Sequence, residues 1–411
     1  MIKLLLLLAF AARAETVDLK FEDLPKLVAE RNENASGAVS LADSARARTG
    51  HLRRSFLPTL DAHAGTERFQ MGRYPYRTEP YGALEARINL FDGGRDSLEE
   101  RQREGQAGAA AAAARKALAV ELAQARKEFW ELVSLREVAA LLGGALGENE
   151  TLLKAANLRI SRGLATETDR LEFQIYGSQL DEEIESVVHE TLLVEMKLAA
   201  LLGAPPGTRY TTPEAVPHDH DDALLNAPFE GSAHPDAAGA AANAETARAQ
   251  SGRAMRWWAP SIEAYGGYAL YTLQERDYLD RSARDDRFIG ARVSIPLFDG
   301  ARSLADARSF AGQALGLERQ ASQRARAAAA QVAVAKEDLK HEHELVHRSE
   351  ERIAQGKRYL ALTLDEYGRG VKNSLDVLGA AQRFTAFEKQ YADRRREYQS
   401  VRCDLLALLG R

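Results

Sequence analysis

Two short histidine-containing segments carry residues whose types and spacing suit metal chemistry. The segment 343-HELVH-347 has the pattern His-Glu-x-x-His, which on a helix puts two imidazoles on one face beside a carboxylate, as in zinc proteases. A protease using His343, Glu344 and His347 is therefore one hypothesis. The segment 218-HDHDD-222 offers further ligand types, although a solvated linker is the simpler interpretation.

Several other features argue against catalysis. The pattern at 343–347 lies within a long charged helical segment, where such a spacing arises by chance. The Asp-Gly-Gly at 92–94 lacks both the Lys-Ser/Thr of a P-loop and the spacing of a dinucleotide loop. Cys403 is the only cysteine, so no disulfide can form, and we expect it to be a buried helix residue. We predict no enzyme, no catalytic residue, no cofactor and no bound metal.

Charge and the N-terminus indicate where the protein works. Lys and Arg number 55 against 60 Asp and Glu, so no basic excess points to nucleic acid. Residues 1–14, MIKLLLLLAFAARA, have a basic start, an apolar core and an Ala-x-Ala end. This is the plan of a cleaved signal peptide, and the core is shorter than the about 20 residues that cross a bilayer. We therefore expect export from the cytoplasm.

The chain is internally duplicated. The stretch 88-INLFDGGRDS-97 recurs as 295-IPLFDGARSL-304, and the offset of 207 residues also relates 162-RG-163 to 369-RG-370 and Leu201-Leu202-Gly203 to Leu408-Leu409-Gly410. Repeats of this kind fix an architecture. The predicted organisation is a first repeat at 15–203, a linker at 204–222 rich in Pro and Thr, and a second repeat at 223–411.

Each repeat has the same predicted order of elements. A helix comes first, at 21–54 and 232–256. Two strands follow, with strict period-two alternation at 84–90 and 289–295, weaker alternation at 56–69 and 260–271, and polar loops near 70–80 and 274–284. Long helices come last, at 95–160 and on to Leu202, then at 301–366 and 373–409. These helices alone are also consistent with a soluble coiled-coil scaffold.

The four strands raise a closure problem. They are about as long as tilted membrane strands, but four strands cannot form a closed barrel, and open edges in lipid leave backbone groups unpaired. Three chains would supply twelve strands. Their polar faces would line a lumen, and the aromatic residues near the strand ends (Tyr81, Phe91, Trp257, Trp258, Tyr268, Phe298) would form a girdle. The predicted lumen residues are Glu85, Arg87, Asn89, Arg292 and Ser294. Periodicity alone is equally consistent with a small soluble sheet packed on helices.

The ordered motifs resemble the TolC family of outer-membrane efflux and secretion ducts. The resemblance covers the mature chain and rests on the duplication, on strand–Phe-Asp-Gly–long helix in both halves, and on the helical turnarounds 162-RGLATETDRLEF-173 and 369-RGVKNSLDVLGA-380. It implies a mainly α-helical homotrimer with a twelve-stranded β-barrel, four strands per chain, on a long periplasmic α-helical barrel. It also implies contact with outer-membrane lipid in a Gram-negative bacterium, and a periplasmic adaptor protein that links the duct to an inner-membrane transporter.

The resemblance also assigns sites. The turnaround tips that would dock the adaptor comprise Arg162, Gly163, Leu164, Arg369, Gly370 and Val371. Asp376, with Lys372 and Asp169, would form an acidic gate at the periplasmic entrance, where three copies favour cations. A second acid of the family pattern is replaced here by Gly379, so the ring is thinner. Alternatively, Asp376 simply caps a helix, and the tip residues are only helix ends.

Overall fold

The computed structural model describes residues 16–69, 77–163, 165–271 and 284–411, so the predicted signal peptide lies outside the described residues. The strands are β1 (Thr16–Asp18), β2 (Thr59–Phe69), β3 (Arg77–Phe91), β4 (Arg209–Thr211), β5 (Ser261–Tyr271) and β6 (Arg284–Ser294). The helices are α1 (Leu24–Arg31), α2 (Glu33–Ala47), α3 (His51–Ser55), α4 (Arg95–Ser161), α5 (Glu167–Leu201), α6 (Asp222–Leu225), α7 (Pro235–Met255), α8 (Arg302–Gly368) and α9 (Ser374–Leu408).

The duplication predicted from the sequence is confirmed by the lengths of the long helices. Helices α4 and α8 each contain 67 residues, and α5 and α9 each contain 35. Their bounds lie within about two residues of the predicted ones, because Phe-Asp-Gly marks each start and Arg-Gly marks each turn. In the described residues no helix is both long and apolar enough to cross a membrane.

The predicted single helix at 21–54 is wrong. The structure has a short 3₁₀ turn followed by α1, α2 and α3. Asn32 leaves α1 in an extended conformation, and its side chain accepts from Ala35 N at 2.9 Å to start α2. Gly50 adopts a left-handed φ of 78° before α3. The spacing of apolar residues along the sequence does not reveal such breaks in a helix. A side-chain cap or one residue with a positive φ is enough to produce them.

The chain divides into two compact units. One unit, residues 40–113 and 235–323, contains a four-stranded antiparallel sheet in the order β2-β3-β5-β6. All four predicted strands are confirmed, although β3 starts at Arg77, so the predicted loop at 70–80 is wrong for residues 77–80. Residues 70–76 and 272–283, which hold most of the two predicted loops, lie outside the described residues.

The sheet has one polar and one apolar face. Side chains alternate between the two faces along each strand, and residues paired directly across antiparallel strands point to the same face. One face carries Leu60, Leu84, Leu90, Ile289 and Val293, which are 73%, 50%, 53%, 93% and 61% exposed in the single chain. Apolar side chains this exposed need a partner or a lipid environment. The order of the strands leaves β2 and β6 as the edges of the sheet.

The Phe-Asp-Gly segments join strand to helix differently in the two repeats. Asp299 caps α8, because its carboxylate accepts from Ala301 N and Ser303 N, both at 2.9 Å. Asp92 instead faces Arg95, with 3.9 Å between its carboxylate and the Arg95 Nε. Gly93 has a φ of 74° and no room for a Cβ, which would collide with Ala259. Glycine is therefore required at that position.

The other unit, residues 16–39, 114–234 and 324–411 of the described chain, holds the largest apolar core. Phe129, Leu132 and Val133 of α4 pack there with Leu198 of α5 and with Cys403, all 0% exposed. The expectation of a buried cysteine is therefore confirmed. Burial raises the pKa of the Cys403 thiol to about 12, so the thiol stays protonated and unreactive.

The predicted linker at 204–222 lies within this unit and packs into it. Strand β4 pairs in parallel with β1, and Tyr210 and Val216 are buried. The buried carboxylate of Glu195 receives Arg136 of α4 at 2.8 Å and Arg209 of β4 at 2.6 Å. Both oxygens of this buried carboxylate are thus matched by a cation.

Candidate functional site

All five predicted lumen residues lie on the polar face of the sheet. Glu85, Arg87 and Asn89 alternate along β3, and the register carries the row through β5 to Arg292 and Ser294 of β6. The Arg87 Nε donates to Glu85 at 2.8 Å, and the Arg292 Nη1 donates to Glu263 at 2.9 Å. The face therefore carries charges of both signs, including two local ion pairs.

The two helical turnarounds have the same backbone. Gly163 and Gly370 have φ of 73° and 80°, with open space where a Cβ would be. Their N–H groups bond to carbonyl oxygens three residues back, at Ile160 and Tyr367. Arg162 and Arg369 are exposed next to the glycines. Val371 is 71% exposed, and Leu164 lies outside the described residues.

A capping box follows each glycine. The sequence had pointed to its acidic residues, Asp169 and Asp376, but not to its N-cap residues. Thr166 N and Thr166 Oγ1 donate to Asp169 at 2.7 and 2.8 Å. In the second repeat, Asp376 N donates to the Asn373 side chain at 2.9 Å, and Asn373 N donates to Asp376 at 3.2 Å. The alternative in which Asp376 caps a helix is therefore realised. This cap leaves Asp376 39% exposed and 3.8 Å from Lys372.

Asp169, the acid of the first repeat, has a hydrogen bond to the other turnaround in addition to those of its own cap. The Thr166 backbone N–H, joined by the side chains of Thr166 and Ser374, holds the pKa of Asp169 below its ordinary value. Hydrogen bonds to the ionised carboxylate have this effect because they favour the charged form. Ser374 begins α9, so Asp169 also links the first turnaround to the second.

A cation–π pair joining the two turnarounds was missed by the sequence analysis. The Arg159 guanidinium lies 4.3 Å from the centre of the Tyr367 ring, and its Nη1 donates to Tyr367 O at 2.8 Å. The Tyr367 hydroxyl lies 3.3 Å from Ser374 Oγ. No local sequence signal points to this contact, because Arg159 and Tyr367 are 208 residues apart.

The two histidine-containing segments meet in the unit that holds the large core. His343 Nε2 and His347 Nε2 are 3.1 Å apart on α8, and the His220 ring centre lies 4.7 Å from that of His343. Glu344, the base a zinc protease needs, is 65% exposed and lies 3.7 Å from Arg348. Across the parts of the chain that the structure describes, no group of three or more His, Cys, Asp or Glu is already arranged to hold a metal ion.

Comparison with known proteins identifies the fold. Residues 232–411 match the family model described as outer membrane efflux protein. The match covers most of the second repeat, which is therefore similar to that family. The predicted resemblance is thereby confirmed, since the TolC-type ducts are outer membrane efflux proteins. A search of curated protein sequences gave no significant match.

Solved structures of membrane proteins share the fold over nearly the full length of the chain. A membrane protein from Pseudomonas aeruginosa is 20% identical with a TM-score of 0.78, covering 97% of this chain and 92% of its own. The outer membrane protein VceC from Vibrio cholerae is 18% identical with a TM-score of 0.78, covering 95% and 96%. The open-state MtrE outer membrane channel from Neisseria gonorrhoeae is 18% identical with a TM-score of 0.78, covering 97% and 93%. The predicted mainly α-helical, duplicated fold is confirmed.

Proposed function

We propose that three copies of this chain form a passive exit duct in the outer membrane of a Gram-negative bacterium, serving a tripartite efflux pump or a type I secretion system. One observation carries the proposal. The efflux-protein fold presents a four-stranded sheet with a polar face, an exposed apolar face and two open edges. Such a sheet is suited to a lumen on one side and lipid on the other.

The open edges support a trimer. Each unpaired backbone group in hydrocarbon costs several kcal/mol, so β2 and β6 need partners. In the proposed assembly β2 of one copy pairs with β6 of the next, and three copies close a twelve-stranded barrel. Glu85, Arg87, Asn89, Arg292 and Ser294 then line its lumen. The long helices of the three copies form the periplasmic tunnel.

The turnarounds supply the proposed gate and docking tips. Asp376 with Lys372 faces the closed periplasmic entrance, with Asp169 as the equivalent acid of the first repeat. The adaptor docks on Arg162, Gly163 and Leu164 of the first tip, and on the second-tip residues Arg369, Gly370 and Val371. The exposure of Val371, at 71%, supports a contact with another protein. The inner-membrane transporter supplies the energy, and the adaptor transmits the opening movement.

Membrane fractionation of the native bacterium tests the function. We expect the protein in the outer-membrane fraction, extracted by detergent but not by high salt, and we expect cells lacking it to accumulate a pump substrate or to retain a secreted polypeptide. Extraction by salt alone would contradict the duct and favour the soluble coiled-coil scaffold. Glu344→Gln should restore export fully to such cells, because the zinc protease hypothesis alone requires that carboxylate.

A further inference from the structure

Four imidazoles from separate parts of the chain gather on the surface of one compact unit. His343 and His347 come from α8, while His218 and His220 come from the segment that connects the two repeats. The ring centres of His218 and His347 are 6.2 Å apart, and those of His220 and His343 are 4.7 Å apart. Neither the membrane face nor the turnarounds require this cluster, so the proposed transport function leaves it unexplained.

The two helix histidines are already placed as a pair of metal ligands. Four residues apart on a helix, they share one face, and their Nε2 atoms lie 3.1 Å from each other. Imidazole nitrogens usually lie about 2.0–2.1 Å from a bound ion. With the two Nε2 atoms 3.1 Å apart, the angle between the two nitrogens at the ion would be about 100°. That angle lies between octahedral and tetrahedral geometry, so neither ring has to move far.

The surroundings suit imidazoles that share an ion. The Nδ1 of His347 lies 3.5 Å from the carboxylate of Glu350, the type of partner that orients a ligating histidine through its second nitrogen.

The connecting segment brings a third ligand close. Tyr398, Gln399 and Arg402 of α9 bond to Asp219 O, Pro217 O and the Asp221 carboxylate at 2.7, 2.7 and 3.0 Å. These contacts fix both sides of His220, whose exposed ring now points to Asp222 at 3.0 Å. With the side chains as they stand, no group of three or more His, Cys, Asp or Glu among the described residues could hold a metal ion, so His220 would have to rotate away from Asp222 to join the two helix histidines.

We propose that His343, His347 and His220 bind one divalent transition-metal ion per chain, of the class that prefers imidazole, such as Zn²⁺. The ion would tie the connection between the repeats to α8. It would be a structural clamp and not a catalytic centre, since Glu344 is exposed and paired with Arg348. The proposal revises the expectation of no bound metal and does not depend on the transport function.

Titration of the purified full chain with Zn²⁺ tests the site. The protein is prepared in detergent with a histidine-free tag, stripped with EDTA, and titrated by calorimetry against a competing chelator. We expect one Zn²⁺ per chain. His343→Gln and His347→Gln should each weaken binding by about tenfold or more, and His220→Gln by a comparable factor. Mg²⁺ and Ca²⁺ should not compete, because they prefer oxygen ligands.

Two control variants and a second readout separate this site from adventitious binding. His341→Gln removes an exposed histidine two residues away on the same helix, and Glu344→Gln removes the neighbouring carboxylate; both should bind Zn²⁺ like the original chain. Hydrogen exchange at residues 219–222 should slow with Zn²⁺ in the original chain and not in His220→Gln. Unchanged affinity in His343→Gln or His347→Gln, or unchanged exchange at 219–222, would overturn the proposal.

Discussion

The two helical turnarounds have the same backbone conformation but different side-chain contacts. Both place a glycine at positive φ and then a capping box, 207 residues apart. In the first, Asp169 is bonded to Thr166 and Ser374 and its pKa is lowered. In the second, Asp376 is half-exposed and its nearest cation is Lys372 at 3.8 Å. Duplication has thus kept the turn and its capping box, while only the first acid also bonds to the other turnaround.

The largest predicted effect comes from the contact that joins the turnarounds. Arg159→Ala removes the hydrogen bond to Tyr367 O and the contact with its ring, together about 1–3 kcal/mol per copy. In the proposed trimer, three copies of this contact hold one pore closed, so we expect the time-averaged conductance in a planar bilayer to rise by about tenfold or more. Lys389→Ala, which breaks the Lys389–Glu183 pair between α9 and α5, is the control and should leave conductance unchanged. Equal conductance in both variants would show that the Arg159 contact does not hold the entrance closed.

A second prediction separates the two acids. Asp376→Asn should weaken the block of single-channel current by divalent cations by roughly fivefold, because it removes one negative charge per copy from the proposed entrance. Asp169→Asn should change the block by much less, since that carboxylate, beyond its own cap, is also bonded to Ser374 of the other turnaround. A similar loss of block in the two variants, or none in Asp376→Asn, would remove the proposed distinction between the acids.

The smallest predicted effect is a loss of helix stability when either of the two capping boxes is broken. Thr166→Ala and Asn373→Ala each delete one side of a capping box, which costs about 1 kcal/mol. Hydrogen exchange in the first turn of α5 or α9 should therefore become about fivefold faster, by a similar factor in both repeats. Strongly unequal factors would indicate that the two turns differ in stability as well as in contacts.

The sequence predicted the parts of this fold that have a period or a repeated marker. The alternation at 84–90 and 289–295 located β3 and β6, and Phe-Asp-Gly and Arg-Gly bounded the long helices. The polar face was predicted residue by residue, because period two assigns every side chain to a face once the register is known. The assignment of the gate and docking residues rests on resemblance to the family and stays a prediction.

Contacts between distant segments could not be predicted. Nothing in the local pattern pairs Arg159 with Tyr367, or brings 218-HDHDD-222 to 343-HELVH-347, because such proximity depends on how α4, α8 and α9 pack. The break at Asn32 was missed for a related reason. Its amide donates to Glu121 and to Leu201 O, both at 3.0 Å, so a tertiary contact helps to decide where α1 ends.

The central claim is that three chains share their strands to form one barrel, and it can be tested directly at the edges of the sheet. Thr59→Cys on β2 is combined in turn with Phe288→Cys, Gly290→Cys or Arg292→Cys on the same face of β6. Cys403 is buried with a pKa of about 12 and can remain.

The measurement is the mass of the species formed on oxidation in native membranes, resolved on a denaturing gel. We predict that at least one pair gives a ladder of one, two and three chains that ends at three and collapses on reduction. Monomers alone for every pair, or a ladder that continues beyond three, would contradict the trimeric barrel.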